Sequence, residues 1–191
     1  MKKIHTNPFL LFLLSGFLIN LAFWIQNFYV ELIVLFAIAP SFYALTKVKN
    51  KHRYLGGLVF FGSWILPTTY WYYLFMPEWA AALASIGFVL LIANVFHISN
   101  LFKKKSTLLD FSVITVSWLL ITITRTFAPV LEDGWIPHIA YTQWLNPLVV
   151  QLAYFGDFYA VMLFILILNA ALAYLLIKKK NKAGIALISM T

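Results

Sequence analysis

The stretch AVMLFILILNAALAYLLIKKK, Ala160 to Lys180, decides the fold class of this chain. It is a long apolar run that carries one amide side chain, Asn169, and ends in three lysines. A helix needs about 20 apolar residues to cross the roughly 30 Å hydrocarbon core of a bilayer. The apolar run begins at residue 148 and is too long for one perpendicular span, so we expect residues 148–155 to lie at the interface and residues 156–177 to span.

The composition of the whole chain agrees with a membrane protein. Of 191 residues, 63% are hydrophobic and only 10% are charged, with a mean hydropathy of +0.88, whereas a soluble domain carries about 25% charged residues. The chain has no cysteine, which excludes a disulfide framework, a thiolate metal site and a cysteine nucleophile within these residues.

Further apolar runs precede the last one and predict an all-α, polytopic membrane protein. We expect six transmembrane helices in one domain, residues 1–182, because each run is close to spanning length. The predicted spans are residues 8–25, 31–46, 54–75, 79–99, 108–129 and 156–177.

Basic residues between these runs predict the topology. All of them except Arg125 fall into four clusters, which six spans place on one side of the membrane, at Lys2 and Lys3, at 47–53, at 103–105 and at 178–182. Because cytoplasmic loops are enriched in lysine and arginine, both termini are expected to be cytoplasmic. The net charge of +8 therefore reflects topology and anionic-lipid contact, and we expect no nucleic-acid partner.

One polar segment, EDGWIPHIAYTQWLNP from Glu132 to Pro147, interrupts the apolar sequence on the opposite, outer side. Aromatic residues concentrate there and at the neighbouring helix ends, including Trp71, Trp135, Tyr141 and Trp144. They fit an interfacial aromatic belt, and they also fit a platform that receives a lipid or an acyl chain.

Arg125 is predicted near the outer end of the fifth span. It can extend to the headgroups as an anchor, form an ion pair with Glu132 or Asp133, or bind an anionic headgroup. Asp157, beside Gly156, is a further candidate for an ion pair with Arg125. Asn169 is expected to make a hydrogen bond between helices.

Signatures of soluble catalysis are missing from the sequence. It has no Gly-x-Ser-x-Gly, no His-Glu-x-x-His and no phosphate-binding glycine loop,. His97 lacks a second ligand at metal-binding spacing, so we expect neither a metal ion nor a cofactor. Three readings remain open: a binding or transport subunit, the membrane half of a lipid-modifying enzyme, and an assembly factor without a ligand.

Several motifs resemble the membrane region of the apolipoprotein N-acyltransferase family. SWLLITITR supplies Trp118 and Arg125, and GWIP supplies Gly134, Trp135 and Pro137. AYTQ supplies Tyr141 to Gln143, and QLAYFGDFYAVMLFILILNAALA supplies Gln151, Gly156, Tyr159 and Asn169. LFAIAPSFYAL, with Pro40, and TTYWYY, with Trp71, resemble the second and third helices of the family.

This resemblance implies a multi-pass protein of the bacterial cytoplasmic (inner) membrane that takes part in lipoprotein biosynthesis. Its partners would be phospholipids and lipoprotein acyl chains, and its lipid- or substrate-binding residues would be Trp71, Arg125, Trp135, Pro137, Tyr141, Gln143 and Trp144. Asn169 and Asp157 would be structural polar residues.

Two departures from the family pattern limit these expectations. The glutamate of the fifth helix is Thr122 here, so the ion pair expected with Arg125 is missing or rerouted. The catalytic Glu, Lys and Cys of the family belong to a nitrilase-like domain that follows a seventh helix. Residues 183–191 are apolar, as the start of that helix would be, and we expect this chain to hold no catalytic residue of its own. The alternative is a substrate-binding membrane subunit of a small-molecule transporter.

Overall fold

The computed structural model describes residues 7–102, 106–127 and 137–188, with side chains described as far as residue 178. Within these ranges the chain is helical and contains no β-strand. The α-helices are α1 (Pro8–Trp24), α2 (Phe28–Ala37), α3 (Ala39–Leu45), α4 (Arg53–Thr68), α5 (Glu78–Ile92), α6 (Asn94–Ile98), α7 (Thr107–Thr126), α8 (Pro147–Val150) and α9 (Ala153–Ile188). Short 3-10 turns cover Asn50–His52, Tyr70–Leu74, Ser99–Leu101 and Ile139–Gln143.

Four helical segments in the described part of the chain have the length and apolar character that a membrane span needs. They are Phe28–Leu45, Glu78–Leu101, Thr107–Thr126 and Ala153–Lys178. Pro8–Trp24 is apolar but shorter, and α4 has 16 residues, which is below the roughly 20 that a perpendicular span requires. The six predicted spans and the cytoplasmic termini stay predictions.

The predicted second span is broken into α2 and α3 at Ile38. Pro40 has no N–H, and its ring would clash with the carbonyl group four residues earlier in a continuous helix. Asn169 of α9 fills the break: its Oδ1 accepts hydrogen bonds from the N–H groups of Ile38 (2.9 Å) and Ala39 (2.8 Å). Its Nδ2 donates to the carbonyl oxygen of Leu35 at 2.9 Å. The amide therefore replaces the lost backbone bond between Leu35 and Ala39.

The interior is formed where α1 packs against α4 and where α4 packs against α6. A Cβ atom at Gly57 would lie 2.6 Å from the carbonyl oxygen of Ala93, so only glycine permits this close approach. Aromatic rings fill the centre of the bundle, and those of Phe61 and Trp118 lie 4.9 Å apart in an edge-to-face arrangement. This packing places α7 beside the centre and sets the position of its last turn.

The last helix is interrupted near its start. Gly156 is extended, and Asp157 adopts the left-handed conformation with φ 55°, which is uncommon for a residue other than glycine. The break separates Ala153–Phe155 from the long apolar run that follows. The expected start of the span near Gly156 stays a prediction, and the apolar helical segment of spanning length is Ala153–Lys178.

Candidate functional site

The segment from Pro137 to Asn146 crosses the end of the bundle between α7 and α9, and local hydrogen bonds fold it. The N–H of Ala140 donates to Nδ1 of His138 at 3.1 Å, at the start of the 3-10 turn Ile139–Gln143. Asn146 then caps α8, accepting from the N–H of Val149 at 3.4 Å. Most of this segment is buried, which is unusual for a connecting segment.

Glu31 fixes the segment to the first turn of α2. Its carboxylate oxygens accept from the N–H of Leu145 at 3.1 and 2.9 Å, and its backbone carbonyl oxygen accepts from Nε2 of Gln143 at 2.9 Å. Glu31 is 3% exposed and Gln143 is fully buried. Hydrogen bonds to a carboxylate are stronger than neutral ones, so this contact holds the segment against α1 and α2.

A groove of about 410 Å³ lies between this segment and the ends of α1 and α2. The side chains of Phe23, Tyr141 and Trp144 form aromatic walls, and Gln26 and Glu31 supply polar groups. Trp144 is 70% exposed. The volume lies within the range of about 300–1,000 Å³ typical of small-molecule sites.

Rings behind the groove connect it to the break in α9. Tyr141 contacts Phe158 edge to face with ring centroids 4.9 Å apart, and His138 lies 5.6 Å from Tyr141. Burial raises the pKa of Tyr141, and the positive charge of Arg125 opposes this effect. The phenol is therefore protonated at neutral pH and can donate a hydrogen bond.

A second, much smaller cavity of about 10 Å³ lies on the other side of the segment. Arg125, in the last turn of α7, lines it together with Trp64, Thr122, Pro137 and His138. Nε of Arg125, Nε1 of Trp64 and Nε2 of His138 are buried and have no hydrogen-bond partner among the described residues. The guanidinium also lies over the ring of Phe88, 5.9 Å from its centroid.

Thr122 stands at the position where the resemblance implies a glutamate, and its side chain lies in the same small cavity as Arg125. Its hydroxyl donates to the carbonyl oxygen of Trp118 at 2.9 Å. The cavity therefore contains a cation beside a short hydroxyl side chain.

The structure brings some of the predicted site residues together. Tyr141 and Trp144 line the groove, whereas Pro137 and Arg125 line the small cavity. Gln143 lies in the interior and supports the segment through its bond to Glu31. Trp135, with Glu132 and Asp133, lies outside the described residues.

The remaining predicted residues lie elsewhere. Trp71 lines neither cavity, and its ring packs against those of Tyr72 and Phe75 at 4.8 and 4.9 Å. Asn169 lies in the interior at the break between α2 and α3. Asp157 lies at the break in α9, and its charge acts on His138 and Tyr141.

Sequence reasoning did not find every polar residue that organises the structure. Arg53 was assigned to a basic cluster that sets the topology and contacts anionic lipid, yet it is buried and paired with Asp110. The available signal was a lone acid, Asp110, near the start of one apolar run and the last basic residue of a cluster, Arg53, at the start of another. Glu31 and His138 were not singled out either, because their burial depends on how the Pro137–Asn146 segment packs against the helix ends.

Comparison with known proteins agrees with this architecture. Residues 15–171 match the family model described as apolipoprotein N-acyltransferase N-terminal domain. Searches of curated proteins and of solved structures found no match. The matched region extends from α1 into α9 and includes the groove, the small cavity and the break in α2–α3. The chain therefore belongs to the apolipoprotein N-acyltransferase N-terminal domain family.

Proposed function

We propose that this chain is a lipid-holding membrane domain, which receives acyl chains of phospholipid and lipoprotein substrates in the groove beside Trp144. Family membership supports lipid or lipoprotein substrates in general. The groove carries the specific proposal, because its aromatic walls offer apolar surface to an acyl chain while its polar end offers hydrogen bonds,.

In this proposal the residues have separate roles. Tyr141 and Trp144 contact the chains. Trp71 and Trp135 stay candidates for acyl-chain contact on the family resemblance. Gln143 and Glu31 hold the segment in place. Arg125 engages a lipid headgroup.

The acyl transfer itself is assigned to a nitrilase-like domain outside these 191 residues, either separate or continuous with the chain. The chain has no cysteine, so a thioester intermediate cannot form on it. The proposed location is the bacterial cytoplasmic membrane, crossed by six helices with both termini in the cytoplasm.

Photolabelling with a phospholipid that carries a diazirine on its acyl chain tests the groove. Trp144→Ala is expected to reduce labelling of the Pro137–Asn146 segment several-fold, because it removes the most exposed aromatic wall. Trp79→Ala is the matched control, since Trp79 is 73% exposed but lies at the start of α5, away from the groove. Equal labelling of both variants and the parent would contradict the proposal.

Mass spectrometry of what co-purifies separates the proposed function from its alternatives. Phospholipid bound after delipidating washes supports the proposal, and its loss in Trp144→Ala would tie that lipid to the groove. A defined small metabolite would instead indicate a substrate-binding transporter subunit. A protein free of both would indicate an assembly factor.

A further inference from the structure

Three of the residues that line the small cavity beside Arg125 carry a buried side-chain nitrogen without a hydrogen-bond partner among the described residues. These nitrogens are Trp64 Nε1, Arg125 Nε and His138 Nε2. Tryptophan and arginine side chains carry only N–H donors. The protonation and tautomer of the His138 ring therefore decide whether any nitrogen in the cavity can accept a hydrogen bond.

The hydrogen bond from Ala140 decides the tautomer of His138. Nδ1 accepts the N–H of Ala140 at 3.1 Å, so Nδ1 carries no proton and the proton of the neutral ring is on Nε2. Burial, and next the charge of Arg125, lower the pKa of His138 to about 4, and Asp157 opposes them in part. At neutral pH the ring is neutral, and Nε2 is a third donor.

The other groups in the cavity do not satisfy these donors. The hydroxyl of Thr122 donates its proton to the Trp118 carbonyl oxygen, and its oxygen accepts from none of the three nitrogens, which have no hydrogen-bond partner among the described residues. The other side chains that line the cavity offer no nitrogen or oxygen acceptor: Trp118 carries only an N–H donor, and Phe88, Ile92, Pro137, Ile139 and Met162 are apolar,. Buried donors without an acceptor cost free energy, and the cost is larger where the donor, as in Arg125, belongs to a charged group.

The volume of the small cavity and the charge of Arg125 limit which chemical group can bind there. A volume of about 10 Å³ admits roughly one oxygen atom, since a water needs about 10–15 Å³ on this measure. A water can accept only two of the three N–H bonds and brings no charge, whereas a phosphate or carboxylate oxygen accepts several and neutralises Arg125. Arg125 is only partly buried, so the guanidinium connects the cavity with the surface.

We propose that Trp64, Arg125 and His138 form a binding site for one anionic oxygen of a phosphate group, held by their three N–H donors. Where the phosphate belongs to a lipid headgroup, this assignment rests on the proposed function. It adds Trp64 and His138 to that site. Free phosphate has the same chemistry, and the experiment below distinguishes the two sources.

Arginine-selective ¹⁵N NMR provides a direct readout, because Arg53 and Arg125 are the only arginines in the sequence. The labelled protein in phosphate-free maltoside micelles, stripped of lipid, gives two Nε–H signals, and Arg125→Lys assigns them. We expect dioleoylphosphatidylglycerol, inorganic phosphate or both to shift the Arg125 signal saturably. The Arg53 signal, from a residue paired with Asp110, is the internal control, and dioleoylglycerol is the phosphate-free lipid control.

Two variants test the other donors. Trp64→Phe and His138→Phe keep a ring but remove an N–H. Each is expected to weaken binding and so raise the half-saturation concentration about tenfold or more, as for the loss of a hydrogen bond to a charged group. Trp79→Phe and His97→Phe are matched controls at exposed positions. An unchanged Arg53 signal shows that a variant is folded.

A shift with the lipid alone identifies a headgroup as the source, and a shift with inorganic phosphate identifies free anion as sufficient; both support the site. The site is overturned if neither probe moves the Arg125 signal, which is the result expected for a cavity that holds only water. It is also overturned if dioleoylglycerol moves the signal equally, or if Trp64→Phe and His138→Phe bind the probes as tightly as the parent does. Photolabelling of the groove that persists without a shift at Arg125 would overturn this site but not the proposed function. A shift of the Arg125 signal by phosphate without photolabelling of the groove would overturn the proposed function but not this site.

Discussion

Arg53 and Asp110 form a buried, two-pronged ion pair that joins the start of α4 to the start of α7. Nη1 of Arg53 lies 2.7 Å from Oδ1 of Asp110, and Nη2 lies 2.5 Å from Oδ2. The same guanidinium also donates to the Ser99 hydroxyl and to the Leu45 carbonyl oxygen. One side chain therefore links four separate parts of the chain at one end of the bundle.

Removing one member of this pair is expected to be severe. Asp110→Leu leaves the arginine charge buried without its carboxylate and should lower the free energy of unfolding by about 3–5 kcal/mol. The double variant Arg53→Leu/Asp110→Leu removes both charges and should recover most of the loss. Thermal unfolding in detergent measures this. A double variant no more stable than the single one would show that the pair does not act as a unit.

The amide of Asn169 is expected to be essential at the break between α2 and α3. Asn169→Ala leaves the N–H groups of Ile38 and Ala39 and the Leu35 carbonyl without partners, and the expected loss is about 3 kcal/mol or more, because each buried unsatisfied group costs about 1–3 kcal/mol. Asn94→Ala is the control, since Asn94 is exposed and bonds only to carbonyl groups of its own helical region. Equal melting temperatures for the two variants would contradict this role.

Gly57 is expected to tolerate no side chain. Gly57→Ala places a Cβ atom 2.6 Å from the Ala93 oxygen and 3.0 Å from its Cα, which forces α4 and α6 apart and should cost about 1–3 kcal/mol. Gly87→Ala is the matched control, because nothing lies within 4 Å of its added Cβ. That substitution should be neutral or stabilising by up to about 1 kcal/mol, since alanine favours a helix over glycine. Denaturation midpoints in the same detergent distinguish them.

Stability is expected to fall on acidification because of His138. The folded protein keeps this ring neutral down to about pH 4, whereas the unfolded chain protonates it below its ordinary pKa of 6.5. The unfolded state binds more protons between these values, so the free energy of unfolding decreases from pH 6.5 to 4, by about 3 kcal/mol in all. Arg125 and Asp157 face the ring with opposite effects.

The measurement is the change in melting temperature between pH 7 and pH 4.5, compared with that of His138→Phe. The variant should lose this part of the pH dependence, and His97→Phe should retain it because His138 is still present. An identical acid dependence in the parent and His138→Phe would exclude the ring as its source.

Much of the fold could be predicted from the sequence because apolar runs and helix breakers act locally. The helical class and the apolar helices of spanning length at Thr107–Thr126 and Ala153–Lys178 agree with the runs from which they were predicted, and the bounds of the six spans stay predictions. Pro40 accounts for the break in the helix at Ile38. It does not indicate that Asn169, 131 positions from Ile38, forms the hydrogen bonds that replace the lost backbone bond. No local pattern indicates which amide fills which break.

The candidate site was predictable to the level of a segment. Tyr141, Trp144 and Arg125 became candidates because they lie in or beside a segment predicted on the outer side, where amphipathic rings favour the interface and a polar group in hydrocarbon needs a partner. They could not show that Gln143 points inward to Glu31, or that Arg125 shares a cavity with His138 and Trp64. Those facts depend on how the segment folds back across the helix ends.

The sequence by itself indicated a helical chain suited to a lipid bilayer and pointed to its family, since hydropathy, charge placement and short motifs are properties of contiguous residues. Only the tertiary structure decided which polar groups are paired and which are left open. Asp110 meets Arg53 and Asn169 meets the break at Ile38, because helices distant in the chain pack side by side. For the same reason the buried nitrogens of Trp64, Arg125 and His138 have no hydrogen-bond partner among the described residues, and hydrogen-bond complementarity exists only once those helices have packed.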